Sequence, residues 1–280
     1  GSPDGIKTSG TGTSDGNLRI SGTRTLPNTA AYGFVGASNM VTGNALPTTL
    51  ANLYVFKTNA AALVTLPGDI TITGTLTLTS GLIDPANNRV IIGNTSTNGT
   101  IAGGSSSSYI ITWKSNAANG LLRRYTNGFA TYFFPIGDEV YYSPTSVNFT
   151  AATATSNPYI EANVIALPHP NLGTATSFIN RYWVIEPTGI TDPTYNVDLN
   201  YVASDVAGVE SSLYPFKFNA STGGWIGAGG SPASATMGTG SVNTGAKSLN
   251  WTNLSSFSEF TGIGDGSPLP IELLDFTVTA

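Results

Sequence analysis

Apolar and hydroxyl-bearing residues alternate along the first half of the chain in short stretches broken by turns. The clearest is Ile70-Thr71-Ile72-Thr73-Gly74-Thr75-Leu76-Thr77-Leu78-Thr79, where Ile70, Ile72, Leu76 and Leu78 share one face and threonine fills the other. Period-two alternation of this kind predicts a half-buried strand, and Gly74 in its middle predicts a bend or bulge. Shorter apolar runs occur at Leu53–Lys57, Ala62–Leu66, Leu82–Ile83, Val90–Ile92, Tyr109–Trp113 and Leu121–Tyr125. Pro67-Gly68-Asp69 and Asp84-Pro85-Ala86-Asn87-Asn88 separate some of them, in the residue types that turns require. The strong strands recur about every twenty residues, near 53, 71, 90, 110 and 122, a spacing too long for hairpins and suited to the coils of a solenoid. In a parallel β-helix each coil would bury an inward row of Val, Ile and Leu. Thr and Asn would fill the outward rows and the turns, where Asn satisfies backbone groups. An ordinary antiparallel domain would use the same strands, and the direction of pairing separates the two.

From about Ala130 the texture changes. Aromatics become dense, at Tyr132, Phe133, Phe134, Tyr141, Tyr142, Phe149 and Tyr159, and the alternating stretches lengthen. Tyr159–Ile165, Ile179–Glu186, Tyr195–Tyr201 and Leu213–Asn219 read as strands with turn signals between them, the pattern of an antiparallel sandwich. The expected fold is therefore all-β: a parallel β-helix-like solenoid over 26–129, then a β-sandwich over 130–266. Residues 1–25, rich in Gly, Ser and Thr, read as a linker or edge segment. Residues 267–280 begin a further strand or linker leading towards another domain. With no long linker near 130, the two halves are expected to touch.

Composition narrows the function classes. Charged residues make up 10% of the 280, net charge is −5, and there is no Cys. Few charges argue against coiled coils and long solvated helices, and an acidic chain has no electrostatic footprint for nucleic acid. No run of about 18 apolar residues marks a membrane span. Thiol catalysis, disulfides and cysteine metal sites are excluded. No nucleophile elbow or phosphate-binding loop is present. His169, the one histidine, lies between Pro168 and Pro170 and reads as an exposed turn residue, although a Ser-His-Asp triad needs only one.

The carboxylates are scattered. Glu161, Glu186 and Asp198 fall on strand-like segments, so a two-carboxylate glycosidase is not ruled out by sequence, but Asp69, Asp84, Asp138, Asp192, Asp205 and Asp265 sit in turn contexts. Arg123-Arg124 is the one basic pair that a lyase could use, and neighbouring strand residues point to opposite faces. Isolated Asp and backbone carbonyls leave calcium open; no cofactor is expected. For ligands, sugar rings stack on exposed aromatics. Trp225, beside a Gly-rich turn, is the first candidate, and Trp113 with Tyr125 the second; Trp183, in an apolar run, reads as core. An ice- or mineral-binding threonine lattice would need Thr stacked across coils, and the strands beside Thr71–Thr79 carry Lys57 and Arg89.

Near the end, Asn250-Trp251-Thr252, Phe257–Gly264 and Pro268-Leu269-Pro270-Ile271-Glu272-Leu273-Leu274-Asp275-Phe276 follow one another. Their order resembles the junction leading to the sorting domain in large secreted proteins of Bacteroidetes that use type IX secretion. Thr131–Gly137 and Arg181–Ile185 resemble the sandwich module that precedes it, so the likeness covers roughly 130–280. It implies an extracellular or cell-surface location and a multi-domain adhesive or structural protein. The expectation is a non-enzymatic module, acting by display and weak multivalent contacts with extracellular polysaccharide or other surface proteins. The alternative is a carbohydrate-binding module, or an accessory part of a polysaccharide-degrading enzyme.

Overall fold

A computed structural model describes residues 2–7, 23–115, 119–231, 233 and 235–264. The expectation for 267–280 lies outside the described residues, as does most of that for 1–25. The first half is a parallel solenoid of five coils. The first coil holds β1 (Ala31–Gly36) and β2 (Met40–Val41), and the second β3 (Thr49–Lys57) and β4 (Leu63–Thr65). The third holds β5 (Ile70–Ser80) and β6 (Leu82–Asp84), and the fourth β7 (Arg89–Ile92), β8 (Thr100–Gly103) and β9 (Ile110–Trp113). The fifth holds β10 (Leu121–Tyr125), β11 (Thr131–Phe134) and β12 (Ile136–Asp138). One parallel sheet stacks β1, β3, β5, β7 and β10; the other stacks β2, β4, β6, β9 and β12.

Two expectations change in detail. The run at Ile110 is β9, the second-sheet strand of the fourth coil, so it does not start a coil of its own. The coils are unequal because residues 93–109 make an excursion, and β5 is long enough to pair with β7 through Ile70–Ile72 and with β8 through Thr75–Leu78. The fifth coil also runs on to Asp138, past the boundary drawn at 129.

Inward rows carry the core. Ile70, Val90, Leu122, Ala162 and Ile185 align across five strands, and Tyr32, Leu53, Leu76 and Ile101 across four. Gly74 lies in a bulge between the pairs Leu50–Ile72 and Asn52–Thr75. A Cβ there would stand 2.5 Å from the Ala51 carbonyl oxygen and 2.8 Å from Asn52 Oδ1, and that same Oδ1 accepts the Thr75 N–H at 2.9 Å. Polar side chains tie one coil to the next: Asn39 Oδ1 accepts the Leu63 N–H, Asp69 Oδ1 the Arg89 N–H and Asn98 Oδ1 the Asn127 N–H. Backbone groups at the corners, which a plain turn would leave to water, are satisfied this way.

The second half contains β13 (Thr145–Ile165), β14 (Phe178–Ile179), β15 (Tyr182–Asn200), β16 (Val206–Ala207) and β17 (Tyr214–Asn219). It continues with β18 (Gly224–Gly229), β19 (Ala235–Asn243), β20 (Ser248–Leu254) and β21 (Glu259–Ile263). β13 runs antiparallel to β10 and β11 on one side and to β15 on the other. The first solenoid sheet therefore continues without a break into the sandwich. Midway, the β13–β15 ribbon loses register between Phe149 and Tyr159 and is exposed. Its two ends then edge two layers: β20 pairs with Tyr195–Asn200 and β21 with Trp183–Val184. A strand that switches layers at a bend is how such sandwiches turn corners. Pairing is antiparallel apart from β18 with β19, and Trp183, Leu199, Leu249, Trp251 and Phe260 fill the interior.

Candidate functional site

Stacking in register turns each coil's outward residues into rows across the first sheet. One row is Ala31–Asn52–Thr75–Thr100, the next Gly33–Tyr54–Thr77–Ala102, and a third Val35–Phe56–Ser80. Tyr54 and Phe56 flank inward Val55, so both rings face out; Tyr54 is 44%, Phe56 53% and Val35 55% exposed. The sequence reading took Leu53–Lys57 as one apolar run and did not single these residues out. Alternation around Val55 was the signal available. Beside the rings, Thr75 Oγ1 and Thr100 Oγ1 bond at 2.7 Å.

Further along the same face the chemistry becomes charged. The row Thr49–Thr71–Ile91–Arg123–Glu161–Glu186 crosses from the solenoid to β15. Arg89 Nε lies 2.7 Å and Arg123 Nη2 2.8 Å from Glu161 Oε1. The hydrogen bond to Glu161 raises the Arg89 guanidinium above its ordinary value, against the opposing effect of burial. The Arg123 guanidinium sits 4.0 Å over the Tyr159 ring, which meets Tyr125 edge-on at 5.7 Å. The register makes Glu161 and Glu186 neighbours, but two guanidinium groups occupy the first, and the pair lies on an open sheet. Asp198 faces Ser146 and Asn250, where desolvation pushes its carboxyl up. Arg124, as expected, turns away from Arg123: it points inward and donates to the Phe133 carbonyl at 2.8 Å.

The tryptophan candidates fare differently. Trp225 is 7% exposed, donates Nε1–H to the Asn171 carbonyl at 2.9 Å and packs against His169, Phe216 and Phe218. That burial removes it as a stacking platform; the Gly-rich turn beside it leaves its ring covered from the 169–172 segment. Trp113 is half-buried on β9, in the second sheet, whereas Tyr125 is on β10 in the first. The solenoid core separates them, and they form no joint surface. Trp183 and Trp251 are core.

His169 is not the exposed turn residue expected. It is 2% exposed, because the turn carries the ring inward into a cage of Tyr182, Phe218 and Trp225. Nε2 lies 2.5 Å from Glu259 Oε2, and Nδ1 accepts the Asn171 N–H at 3.1 Å. A triad histidine needs one nitrogen on its acid and the other on a nucleophile. Here the second nitrogen is held by backbone. Lys217, buried and with its amine pushed down by desolvation, bonds Ser256 Oγ and the Ser256 carbonyl. A lysine base beside a serine has nucleophilic potential, but here the amine binds the loop's own carbonyl as well and so fastens the 255–258 loop.

A shallow cleft of about 280 Å³ is lined by Thr42, Asn44, Leu46, Thr48, Leu66 and Asp69 among others. It contains one carboxylate, whose Oδ1 is taken by the Arg89 N–H. Among the described residues no group of three His, Cys, Asp or Glu is placed to hold a metal ion, and no helix is long and apolar enough to cross a membrane. Comparison of the chain with family models, curated proteins and solved structures gave no match.

Proposed function

We propose that the chain is a non-catalytic structural or adhesive module of a bacterial secreted or cell-surface protein, working by display and by weak contacts repeated many times. The observation carrying this reading is β13, hydrogen-bonded to the fifth coil on one edge and to β15 on the other. A continuous hydrogen-bonded sheet joins the two halves without a hinge, as a stiff spacer requires. Outward rows of Thr, Asn and Gly give it a hydrated, nearly uncharged surface, and repeated weak contacts on such a surface add up through avidity. The likeness of the Asn250–Phe276 stretch to the type IX junction supports an extracellular or cell-surface location in a Bacteroidetes cargo protein.

Calorimetry tests the one-piece spacer. A single transition with equal calorimetric and van't Hoff enthalpies is expected; two separated transitions would defeat it. Immunolabelling of intact cells tests the location. A second reading, as a carbohydrate-binding module or an accessory part of a polysaccharide-degrading enzyme, is favoured by Tyr54 and Phe56, exposed beside hydroxyl rows.

A further inference from the structure

We propose that the outward face of the first three coils, centred on Tyr54 and Phe56, binds a neutral polysaccharide chain laid flat on the sheet; this rests on the second reading above and names its site and ligand class. Tyr54 and Phe56 lie on one face of one strand, with their Cα atoms about 6.6 Å apart at a rise of ~3.3 Å per residue. Gly33 stands beside Tyr54, where an added Cβ would meet only the Tyr54 Cβ, at 3.9 Å, so the ring is not screened from the β1 side. Exposed aromatic rings offer apolar area with little conformational freedom to lose. The axial C–H face of a pyranose matches that surface.

What surrounds the rings selects the ligand. The three rows through Ala31, Gly33 and Val35 hold no charged residue; Lys57, which closes β3, is 1% exposed and spends its Nζ on the Val35 carbonyl. Among the described residues an anionic polymer would find no exposed counter-charge there, and desolvating its carboxylates would go uncompensated. Polar groups are at hand for sugar hydroxyls: among the described residues, the Tyr54 phenol, the Thr77 hydroxyl and the Asn52 amide nitrogen make no hydrogen bond within the protein. A mostly apolar surface with a few placed polar groups is the usual make-up of small-molecule sites. A second copy of the chain fits less well, because three apolar side chains fall far short of the ~800 Å² per partner of a stable protein interface.

The test uses the whole chain in pull-downs with microcrystalline cellulose, chitin, a soluble neutral β-glucan and, as the charged control, polygalacturonate. The variants are Tyr54→Ala, Phe56→Thr, the two combined, and Trp113→Ala on the other sheet. The expected result is retention on at least one neutral polymer, unchanged by high salt. The double variant should weaken it about tenfold or more, as loss of an aromatic anchor does, and Trp113→Ala should leave it intact. The Tyr54 and Phe56 side chains are exposed and that of Trp113 is half-buried, so an unchanged melting temperature verifies the folding of each variant; Phe56→Thr, with a β-favouring residue, stands in should the Tyr54→Ala variant melt early. No retention on any neutral polymer, retention indifferent to both rings, or retention only on polygalacturonate would overturn the proposal. So would self-association that disappears in the double variant, which would assign the face to a second copy. The spacer reading stands or falls separately, on the single calorimetric transition.

Discussion

Arg181 and Asp138 meet where the two halves join: Nη2 lies 2.7 Å from Oδ2, and both side chains are fully buried. Asp138 ends the fifth coil, and its Oδ1 accepts the N–H groups of Val140 and Tyr141. Arg181 precedes β15 and also binds Asp205 through Nε at 2.7 Å and Nη2 at 3.2 Å. Burial alone would lower this guanidinium, but the hydrogen bonds and charges of Asp205 and Asp138 hold it above its ordinary value. Removing the cation leaves two buried carboxylates without it. Arg181→Met is therefore expected to cost about 3–5 kcal/mol in chemical denaturation. Asp138→Asn should cost less, because Asp205 still pairs with the arginine. Equal losses would show that the contact to the solenoid, not the buried charge, is what matters.

Glu210 gives the fold an acid-sensitive clasp. Both its oxygens accept from Lys247 Nζ, and Oε1 also accepts from the Tyr201 hydroxyl at 2.7 Å. The Lys247 hydrogen bonds hold this carboxyl below its ordinary 4.5, helped by Tyr201 and opposed by burial. The folded state thus releases the proton at lower pH than the unfolded chain. Its stabilisation is complete above the ordinary value and is lost as pH falls through the lowered one. Urea midpoints followed from neutral pH to about pH 3 should fall less steeply for Glu210→Gln than for the native chain. Parallel curves would remove Glu210 from the acid response.

One inward row tests what the solenoid tolerates. Leu50, Ile72 and Ile92 align, and the next position is Arg124. Desolvation pushes the Arg124 guanidinium down to about 10, and its Nε is buried without a partner. Its bond to the Phe133 carbonyl and its place over the Tyr132 ring offset part of that cost. An apolar replacement of a buried charge is often neutral or stabilising, so Arg124→Met should change the unfolding free energy by no more than about 1 kcal/mol, or raise it. Ile72→Ala, which opens a cavity in the same row, should cost about 2–5 kcal/mol. A large loss for Arg124→Met would mean that the carbonyl bond outweighs desolvation.

The sequence carried the first solenoid sheet and the change of texture near 130, because Ile70–Thr79 and Tyr195–Tyr201 alternate over many residues. The second sheet was legible only as short apolar runs, at Ala62–Leu66, Leu82–Ile83 and Tyr109–Trp113, with nothing to assign them to a separate sheet; Met40–Val41 is too short for a period to show. The length of β13 was hidden as well, since exposed Thr, Ala and Ser at 150–156 have no buried face to write a pattern. Site residues were hardest. His169 owes its burial to Tyr182, Phe218 and Trp225 and its Nε2 partner to Glu259, 90 positions away, and Trp225 owes its cover to the 169–172 turn. No local pattern encodes such partners. Tyr54 and Phe56 were readable in principle, once the residue between them is known to face inward.

The His169 cage yields the sharpest structural test. With Nδ1 accepting the Asn171 N–H, the ring proton belongs on Nε2, donated to Glu259. Glu259→Gln keeps an acceptor oxygen within reach of that proton. It loses only the charge assistance, so the expected cost is about 1 kcal/mol. His169→Ala removes the ring from between Trp225, Tyr182 and Phe218 and leaves a cavity, at about 3 kcal/mol or more. It should also shift the tryptophan emission, because Trp225 loses one wall of its packing. Nitrogen-15 shifts of the imidazole read the tautomer directly. A proton on Nδ1, or a Glu259→Gln variant as unstable as His169→Ala, would mean that the carboxylate's charge governs this corner and that the backbone bond from Asn171 does not fix the ring.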